Sequence, residues 1–177
     1  MLFPIVISIV ILQRIIELFI AKRNEKWMRS QGAFEMGAAH YPLMVSMHVA
    51  FFISLIVEVL LSQRPLPSLW ILLLVLFLIA QVARIWCLTS LGKFWNTKII
   101  ILPGADVVQK GPYKWVRHPN YIIVTTELLV LPLLFGAYFT AILFSLLNLW
   151  MLSVRIPAEE KALKEATNYK ETFSLHD

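Results

Sequence analysis

The residues best suited to chemistry lie in one polar stretch, residues 111–121, between two hydrophobic segments. The stretch contains a histidine, an arginine, a tryptophan and two tyrosines, side chains that bind small polar ligands. Pro119 biases His118 towards extended backbone and suits the first turn of a following helix. A ligand there would meet backbone N–H groups that a helix start leaves without intrahelical partners. The alternative is a basic, aromatic loop that only anchors a helix end at the membrane surface.

A second polar group follows the last hydrophobic run. Arg155 and Glu159 are four residues apart, so they share a face if the segment is helical. An ordinary surface ion pair is the simplest interpretation of this spacing. Pro157, however, predicts that a helix starts or breaks here, and the adjacent carboxylates Glu159 and Glu160 suit a helix start. We therefore expect this group and the 111–121 stretch to form a polar binding site at one end of the molecule.

Other common site patterns are missing from the sequence. No Gly-rich dinucleotide-binding motif follows a strand. The histidines at His40, His48, His118 and His176 lack the spacing of metal ligands, so no metal site is expected. Cys87 lies inside an apolar run, which predicts a packed thiol. No pairing of a nucleophile with a base is visible.

The elements that must position these residues are hydrophobic. The chain has 177 residues, of which 59% are hydrophobic and 15% charged, whereas about a quarter of the residues of a soluble domain are charged. Several apolar runs approach the ~20 residues that span a bilayer. The sequence therefore predicts an integral membrane protein. The net charge of +5 is interpreted as Lys and Arg of cytosolic loops, not as nucleic-acid binding.

Five membrane-spanning helices are predicted, at residues 2–20, 43–61, 69–91, 121–135 and 137–154. The first is not interpreted as a signal peptide, because no Lys or Arg precedes it and no small-residue cleavage site follows. Only Gly136 and its neighbours separate the last two helices, so they are expected to form a tight hairpin. The predicted fold is all-α, a polytopic integral membrane helical bundle of about five transmembrane helices with an amphipathic C-terminal surface helix over residues 158–173.

The polar connectors complete this predicted organisation. Residues 21–42 are expected to be partly helical, and residues 92–120 to be an irregular segment. The whole chain, residues 1–177, is predicted to be a single membrane domain. Its residues 1–91 hold three N-terminal helices, and its residues 92–177 hold the catalytic region.

The distribution of Lys and Arg predicts the topology. Residues 21–42, 92–120 and 155–177 carry 4, 5 and 4 of them, and only Arg64 lies in the predicted outer connectors. Because positive residues mark the cytosolic side, the N-terminus is expected outside, with the polar site and the C-terminus in the cytosol.

Several polar residues fall inside the predicted spans: Arg14, Glu17, Gln81, Arg84 and Glu127. A charge at the bilayer centre costs roughly 2.5–3.5 kcal/mol on insertion scales, and pairing lowers that cost. Glu17 with Arg84, or Arg14 with Glu127, are the predicted pairs. These residues either lock the helices together or form the floor of a polar cavity that contacts substrate.

The motifs together resemble a known family. Arg117-His118-Pro119-Asn120-Tyr121, preceded by Gly111-Pro112-Tyr113 and followed by Arg155 and Glu159-Glu160, is similar to the pattern of the isoprenylcysteine carboxyl methyltransferase family of integral membrane enzymes. The resemblance covers roughly residues 85–173 and looks closest to the small bacterial members. It implies a location in the bacterial cell membrane.

The resemblance also implies a cofactor and a set of site residues. The methyl donor would be S-adenosylmethionine, bound through a cytosolic cofactor-binding loop. Arg155 would face the substrate, and Arg155 and His118 are the expected catalytic residues. The residues expected to bind the cofactor are Val107, Val108, Tyr113, His118, Pro119, Asn120, Tyr121 and Glu159.

The substrate is expected to be a lipophilic small molecule or membrane lipid that presents an acidic oxygen, a carboxylate or an enol. For an ordinary hydroxyl or amine a base would be needed, and His118 or Glu159 would have to supply it. Family members that act on prenylated proteins commonly have more spans, so a polyketide or alkyl-pyrone lipid is as plausible here as a prenylcysteine. An exposed apolar helix surface would permit a homodimer.

Two other functions are compatible with part of the sequence. Membrane sterol reductases, which bind NADPH, also carry an Arg-His-Pro-Asn-Tyr stretch, but Glu159-Glu160, Leu163 and Tyr169 match the methyltransferase pattern. A non-catalytic scaffold or transport protein would use the charges inside the spans as a pathway, and its function would survive loss of His118 and Glu159.

Overall fold

The computed structural model describes residues 2–173, with the side chain of Phe173 left aside, so His176 lies outside the described residues. The six helices of this part are α1 Leu2–Ser30, α2 Tyr41–Ser62, α3 Trp70–Leu91, α4 Pro119–Leu134, α5 Tyr138–Ala166 and α6 Tyr169–Phe173. Two short strands, β1 Phe34–Met36 and β2 Ile99–Ile101, pair antiparallel with Glu35 opposite Ile100. Single 3₁₀ turns cover Gly92–Phe94 and Gly111–Lys114.

The helices are those of a membrane protein. Within residues 2–173, four helices (α1, α2, α3 and α5) are long and apolar enough to cross a bilayer, and α4 is apolar but has 16 residues, fewer than the ~20 of a typical span. Many large apolar side chains point outward, among them Phe19, Leu61 and Val82. The chain is an all-α, polytopic integral membrane protein, as predicted.

The chain forms two compact units, each built from separated stretches of sequence. The first, here called the sheet unit, comprises residues 2–38, 91–108 and 157–173 and contains both strands. The second, here called the hairpin unit, comprises residues 39–90 and 109–156 and contains α4 and the first two thirds of α5. The expectation of a single domain, with a catalytic region beginning at residue 92, stays a prediction.

In the sheet unit, polar side chains tie the segment after α3 to α1. Asn24 donates from its amide to the carbonyl oxygens of Gly92 at 3.0 Å and Trp95 at 2.8 Å. Asn96 donates to the carbonyl oxygen of Ala21 at 3.2 Å. Lys98 lies between two carboxylates, 3.0 Å from Glu25 and 3.3 Å from Glu35. These bonds fix the start of β2 on the polar end of α1.

The helical residues 21–30 agree with the expectation that residues 21–42 are partly helical, whereas the two strands lie in segments expected to be connectors. Residues 21–30 continue the helix, because they are mostly strong helix formers and include a Glu25–Arg29 pair at 2.8 Å, one turn apart. Gly32, at φ +94°, ends the helix with its N–H bonded to the carbonyl of Arg29.

The strands were not predicted. Three residues are too few to show alternation, and all three isoleucines of β2 are buried, two of them, Ile99 and Ile101, against Ala162.

In the hairpin unit, α4 and α5 form the predicted hairpin. Gly136 adopts φ +69° between them, and the N–H of Ala137 bonds to the carbonyl of Pro132 at 2.9 Å. Further along, the amide of Asn148 on α5 donates to the hydroxyl of Thr125 on α4 at 2.9 Å. The two helices are therefore joined both at the turn and again in the first half of α4.

The predicted break at Pro157 is wrong, since α5 runs unbroken from Tyr138 to Ala166. A separate helix over residues 158–173 does not form; only α6 follows, after a short interruption. Proline removes one helical hydrogen bond, but the residues after it are good helix formers. Ala158, Ala162 and Ala166 also pack against Ile99 and Ile101 of β2, which stabilises the helix beyond the proline.

Candidate functional site

The 111–121 stretch folds as a tight turn followed by the start of α4. Gly111 adopts φ +56°, and a Cβ atom there would lie 2.1 Å from Ser90 Oγ and 2.8 Å from Trp86 Nε1. The turn therefore passes against the end of α3 at a distance that only glycine allows. The Trp86 and Trp115 rings meet edge to face, with centroids 5.9 Å apart. The turn is pinned to α3 at both of these points.

Tyr113 anchors the turn in the interior of the hairpin unit. Its side chain packs against a buried cluster of Ala80, Cys87 and Ile123. It also forms a hydrogen bond with the Cys87 thiol. Cys87 is fully buried, in agreement with the prediction of a packed thiol. Tyr113 thus contacts both α3 and α4 and positions the residues that follow it.

His118 and Tyr121 form a ring pair at the start of α4. His118 is the N-cap residue, with φ −130° and ψ 60°, and Pro119 begins the helix as predicted. The two ring centroids are 5.5 Å apart and the planes are inclined by 32°. Two flat, polar rings beside a helix start are suited to contact a flat, polar ligand.

Asn120, the second residue of α4, provides a hydrogen-bond acceptor. Its Oδ1 atom is buried, and it has no hydrogen-bond partner among residues 2–173. A buried acceptor left in this state costs about 1–3 kcal/mol, so most such groups are paired in native proteins. A ligand that brings an N–H or O–H group to this atom would remove that cost.

Arg155 occupies the buried stripe of α5. The buried residues of this stripe follow helical spacing: Phe144, Asn148, Met151 and Arg155. Arg155 therefore lies on the buried face of α5, whereas Trp150 and Val154 lie on its exposed face. A buried, permanently charged guanidinium at the end of a span is suited to bind an anionic group in a bidentate manner.

The five polar residues predicted inside the spans, Arg14, Glu17, Gln81, Arg84 and Glu127, form two hydrogen-bonded groups. In the hairpin unit, Glu127 of α4 accepts from Arg84 at 3.1 Å and from Gln81 at 2.7 Å, and both donors lie on α3. In the sheet unit, Arg14 and Glu17 pair at 2.7 Å within α1. Glu127 thus locks α4 to α3. The predicted pairs of Glu17 with Arg84 and Arg14 with Glu127 each join the two units and stay predictions.

The remaining predicted cofactor residues belong to the sheet unit. Val107 and Val108 follow β2, and the N–H of Val107 donates to Asn168 Oδ1 at 2.8 Å. Glu159 lies partly buried on α5, while its neighbour Glu160 is paired with Lys164 at 3.0 Å. Sequence reasoning did not single out Asn168. An asparagine just past the end of a long helical pattern was the available signal, because its side chain readily bonds to nearby backbone.

The comparisons with known proteins agree with this set of motifs. Residues 71–165 match the family model described as the isoprenylcysteine carboxyl methyltransferase (ICMT) family. The chain belongs to this family. The matched range contains every predicted site residue, from Val107 to Glu159. The ICMT family consists of membrane methyltransferases that use S-adenosylmethionine as methyl donor.

Two relatives resemble the chain over most of its length. The uncharacterized protein YpbQ of Bacillus subtilis is 49% identical over 164 residues, which is 93% of this chain and 98% of that protein. An uncharacterized protein of Haemophilus influenzae is 32% identical over 151 residues, which is 85% of this chain and 88% of that protein. No solved structure matches the chain.

Proposed function

We propose that this ICMT-family protein transfers a methyl group from S-adenosylmethionine to an acidic oxygen, a carboxylate or an enol, of a lipophilic acceptor. The observation that carries the proposal is the start of α4. There the His118 and Tyr121 rings form a pair, and the same first turn of the helix carries the buried acceptor Asn120 Oδ1, which no group among residues 2–173 satisfies. The cofactor fits this site chemically, because it presents a flat adenine and several N–H and O–H donors.

The residues of the chain have distinct proposed roles. His118, Pro119, Asn120 and Tyr121 bind the cofactor at the start of α4, and Tyr113 holds their turn on α3. Val107, Val108 and Glu159 also bind it, by resemblance to the family. When bound, the cofactor supplies a methyl group activated by a sulfonium charge.

Arg155 is proposed to bind the acceptor. Its positive charge lowers the pKa of a neighbouring acid, so a carboxylic acid or acidic enol is held in its ionised form. An ionised oxygen attacks the methyl carbon directly as the carbon–sulfur bond breaks, and no separate general base is needed. Because opposite charges neutralise in this transition state, a site with little water favours the reaction. The protein's main task is then to align donor and acceptor, which contributes several kcal/mol.

The proposed topology follows from the charges of the connectors. Lys and Arg are concentrated in residues 21–42, 92–120 and 155–177, so these segments are proposed to face the cytosol and the N-terminus the outside of the cell membrane. A lipid acceptor would reach the enzyme from the bilayer, and the water-soluble cofactor from the cytosol.

Ligand-induced stabilisation of the purified protein in detergent tests the cofactor. A ligand at 100 times its Kd adds about 2.7 kcal/mol to the unfolding free energy, which is visible as a shift in Tm. We expect S-adenosylhomocysteine to stabilise the wild type and to stabilise His118→Ala much less. Stabilisation by NADPH alone would favour a reductase instead. A folded protein stabilised by neither ligand would refute the enzyme proposal.

A labelling experiment tests the acceptor and the role of Arg155. Membranes that contain the protein are incubated with S-adenosylmethionine tritiated in the methyl group, and the lipid extract is counted before and after mild base. Base releases volatile methanol from a methyl ester but not from an enol ether, so the two acceptor classes are distinguished. Arg155→Ala should lower incorporation by about 100-fold or more, since one buried charge-assisted contact contributes a few kcal/mol. Its Kd for S-adenosylhomocysteine should be unchanged, and a lost Kd would refute this division of roles.

A further inference from the structure

Three hydrogen bonds within the sheet unit attach the segment between β2 and Val108 to Ala166, the last residue of α5, and to Asn168 just after it. The N–H of Gly104 donates to the carbonyl of Ala166 at 2.9 Å. The N–H of Val107 donates to Asn168 Oδ1 at 2.8 Å. Asn168 Nδ2 donates to Asp106 Oδ1 at 2.9 Å. Residues 104–107 are thereby held by their backbone and by one carboxylate.

Asn168 uses both ends of its amide in this contact. The oxygen accepts from the backbone of Val107, and the nitrogen donates to the Asp106 carboxylate. The two partners are adjacent in sequence, and one is a hydrogen-bond donor while the other is an acceptor. An asparagine side chain satisfies both in one orientation, whereas an aspartate or a leucine does not. The orientation of the Asp106–Val107 peptide is therefore set by Asn168.

The rest of the segment offers little packing to replace these bonds. Gly104 adopts φ +73°, and no atom lies within 4 Å of the position that its Cβ would occupy. A turn closes at Ala105, whose N–H donates to the carbonyl of Leu102 at 3.2 Å. A segment held mainly by solvent-accessible hydrogen bonds opens locally at a small free-energy cost.

We propose that Asn168 is a positioning residue for the cofactor, because it keeps the segment from Asp106 to Val108 in the geometry that binds. This inference rests on the proposed function, in which Val107 and Val108 contact S-adenosylmethionine. Loss of the Asn168 bonds lets the segment populate other conformations. The apparent Kd then rises by the inverse of the fraction of molecules that remain competent to bind.

Binding of S-adenosylhomocysteine to the full-length protein in detergent, measured by calorimetry, tests the inference. Asn168→Leu keeps the size of the side chain and removes both hydrogen bonds, so the Kd should rise about tenfold. Amide hydrogen exchange should become faster at Gly104 and Val107 and stay unchanged in β2. Lys170→Ala, an exposed change in α6, the short helix that follows Asn168, is the matched control and should leave the Kd and the exchange rates unchanged.

A swap of the two side chains separates positioning from general damage. Asn168→Asp alone places two carboxylates face to face, and Asp106→Asn alone removes the charged acceptor, so each should raise the Kd. The double variant Asn168→Asp/Asp106→Asn restores a carboxylate that accepts from Val107 and an amide that donates to it. It should bring the Kd back to within about threefold of the wild type, as expected for residues coupled through one contact.

The outcomes distinguish this inference from the proposed function. Wild-type protein that does not bind S-adenosylhomocysteine refutes the proposed function and this inference with it. Wild-type binding together with an unchanged Kd in folded Asn168→Leu refutes the positioning role alone. If Asn168→Leu fails to fold, the swap decides, and a folded double variant with a Kd as high as either single variant also refutes the role.

Discussion

Two segments that each carry or adjoin predicted cofactor residues are held in place by different forces. The turn at residues 111–116 is held by packing: Gly111 lies against Ser90 and Trp86, and Tyr113 inserts into a buried apolar cluster. The segment at residues 104–107 is held by hydrogen bonds to Ala166 and Asn168. Packed contacts respond to the volume of a substitution, whereas accessible hydrogen bonds and ion pairs respond to charge, pH and salt.

This difference predicts different behaviour without ligand. Opening the packed turn would expose Tyr113 and the Cys87 cluster, so it should remain closed until the hairpin unit unfolds. Opening the hydrogen-bonded segment exposes little apolar surface, so it should exchange between closed and open forms in the native state. Cofactor binding would then order the second segment far more than the first.

The largest expected effect on stability comes from a substitution at Gly111, the closest contact of the packed turn. Gly111→Ala combines a left-handed backbone conformation with a Cβ atom 2.1 Å from Ser90 Oγ, so we expect a loss of about 2–4 kcal/mol in the unfolding free energy. Gly104→Ala has a similar φ of +73° but no atom within 4 Å of the new Cβ, so it should cost about 1 kcal/mol. Urea unfolding with detergent held constant measures both values.

Removing the contact atom shows whether the Gly111 effect is steric. In the double variant Gly111→Ala/Ser90→Ala the nearest atom is gone, although Trp86 Nε1 remains 2.8 Å away. We expect it to recover about half of the lost stability, since the backbone strain persists. Equal losses in Gly111→Ala and Gly104→Ala would contradict the packed-turn description.

Much of this arrangement could be predicted from the sequence, and the reasons are physical. The spans follow from long apolar runs. The start of α4 follows from His118-Pro119, because proline restricts the backbone on both sides of this bond. The α4–α5 hairpin follows from Gly136. These signals are local, because each depends on residues that are close together in the sequence.

The missed features depend on contacts between residues distant in sequence. Pro157 predicted a break, but α5 continues because Ala158 and Ala162 pack against β2, about sixty residues earlier. The β1–β2 pair joins Phe34–Met36 to Ile99–Ile101, and neither strand is long enough to show alternation. Asn168 acquires its role only through Asp106 and Val107. Local propensity is overridden where tertiary packing stabilises the alternative.

A smaller effect tests whether the start of α4 is built for a ligand and not for stability. Asn120→Ala removes the buried acceptor that has no partner among residues 2–173, so the unfolding free energy should be unchanged or rise by about 1 kcal/mol. The Kd for S-adenosylhomocysteine should rise about tenfold, since a hydrogen bond to the ligand is lost. Thr126→Ala changes a half-buried residue of the same helix whose hydroxyl donates only to the carbonyl of Ile122 one turn earlier, and it should change neither quantity. A strongly destabilised Asn120→Ala with unchanged affinity would make Asn120 a structural residue.

The smallest expected effect concerns the ion pairs of the sheet unit. Partial burial of Lys98 works to lower the pKa of its ammonium group, but hydrogen bonds and charges from Glu25 and Glu35 outweigh burial and raise the pKa above its ordinary value. Its stabilisation is therefore fully present below the unfolded-chain pKa of about 10.4 and is lost as the pH rises through the higher folded value. Between pH 8 and pH 11, the Tm of the wild type should therefore fall more than the Tm of Lys98→Met. At pH 8 the substitution Lys98→Met should lower the unfolding free energy by no more than about 1 kcal/mol.

Hydrogen exchange at constant pH locates the loss of the Lys98 pairs within the molecule. Salt at 1 M shortens the Debye length to about 3 Å and weakens the partly exposed Lys98 pairs. The amides of β2 should then exchange faster by about two- to threefold, while those of the 111–116 turn, held by packing, should keep their rates. Equal acceleration of the β2 amides and the turn amides would mean that the turn at residues 111–116 also depends on charge.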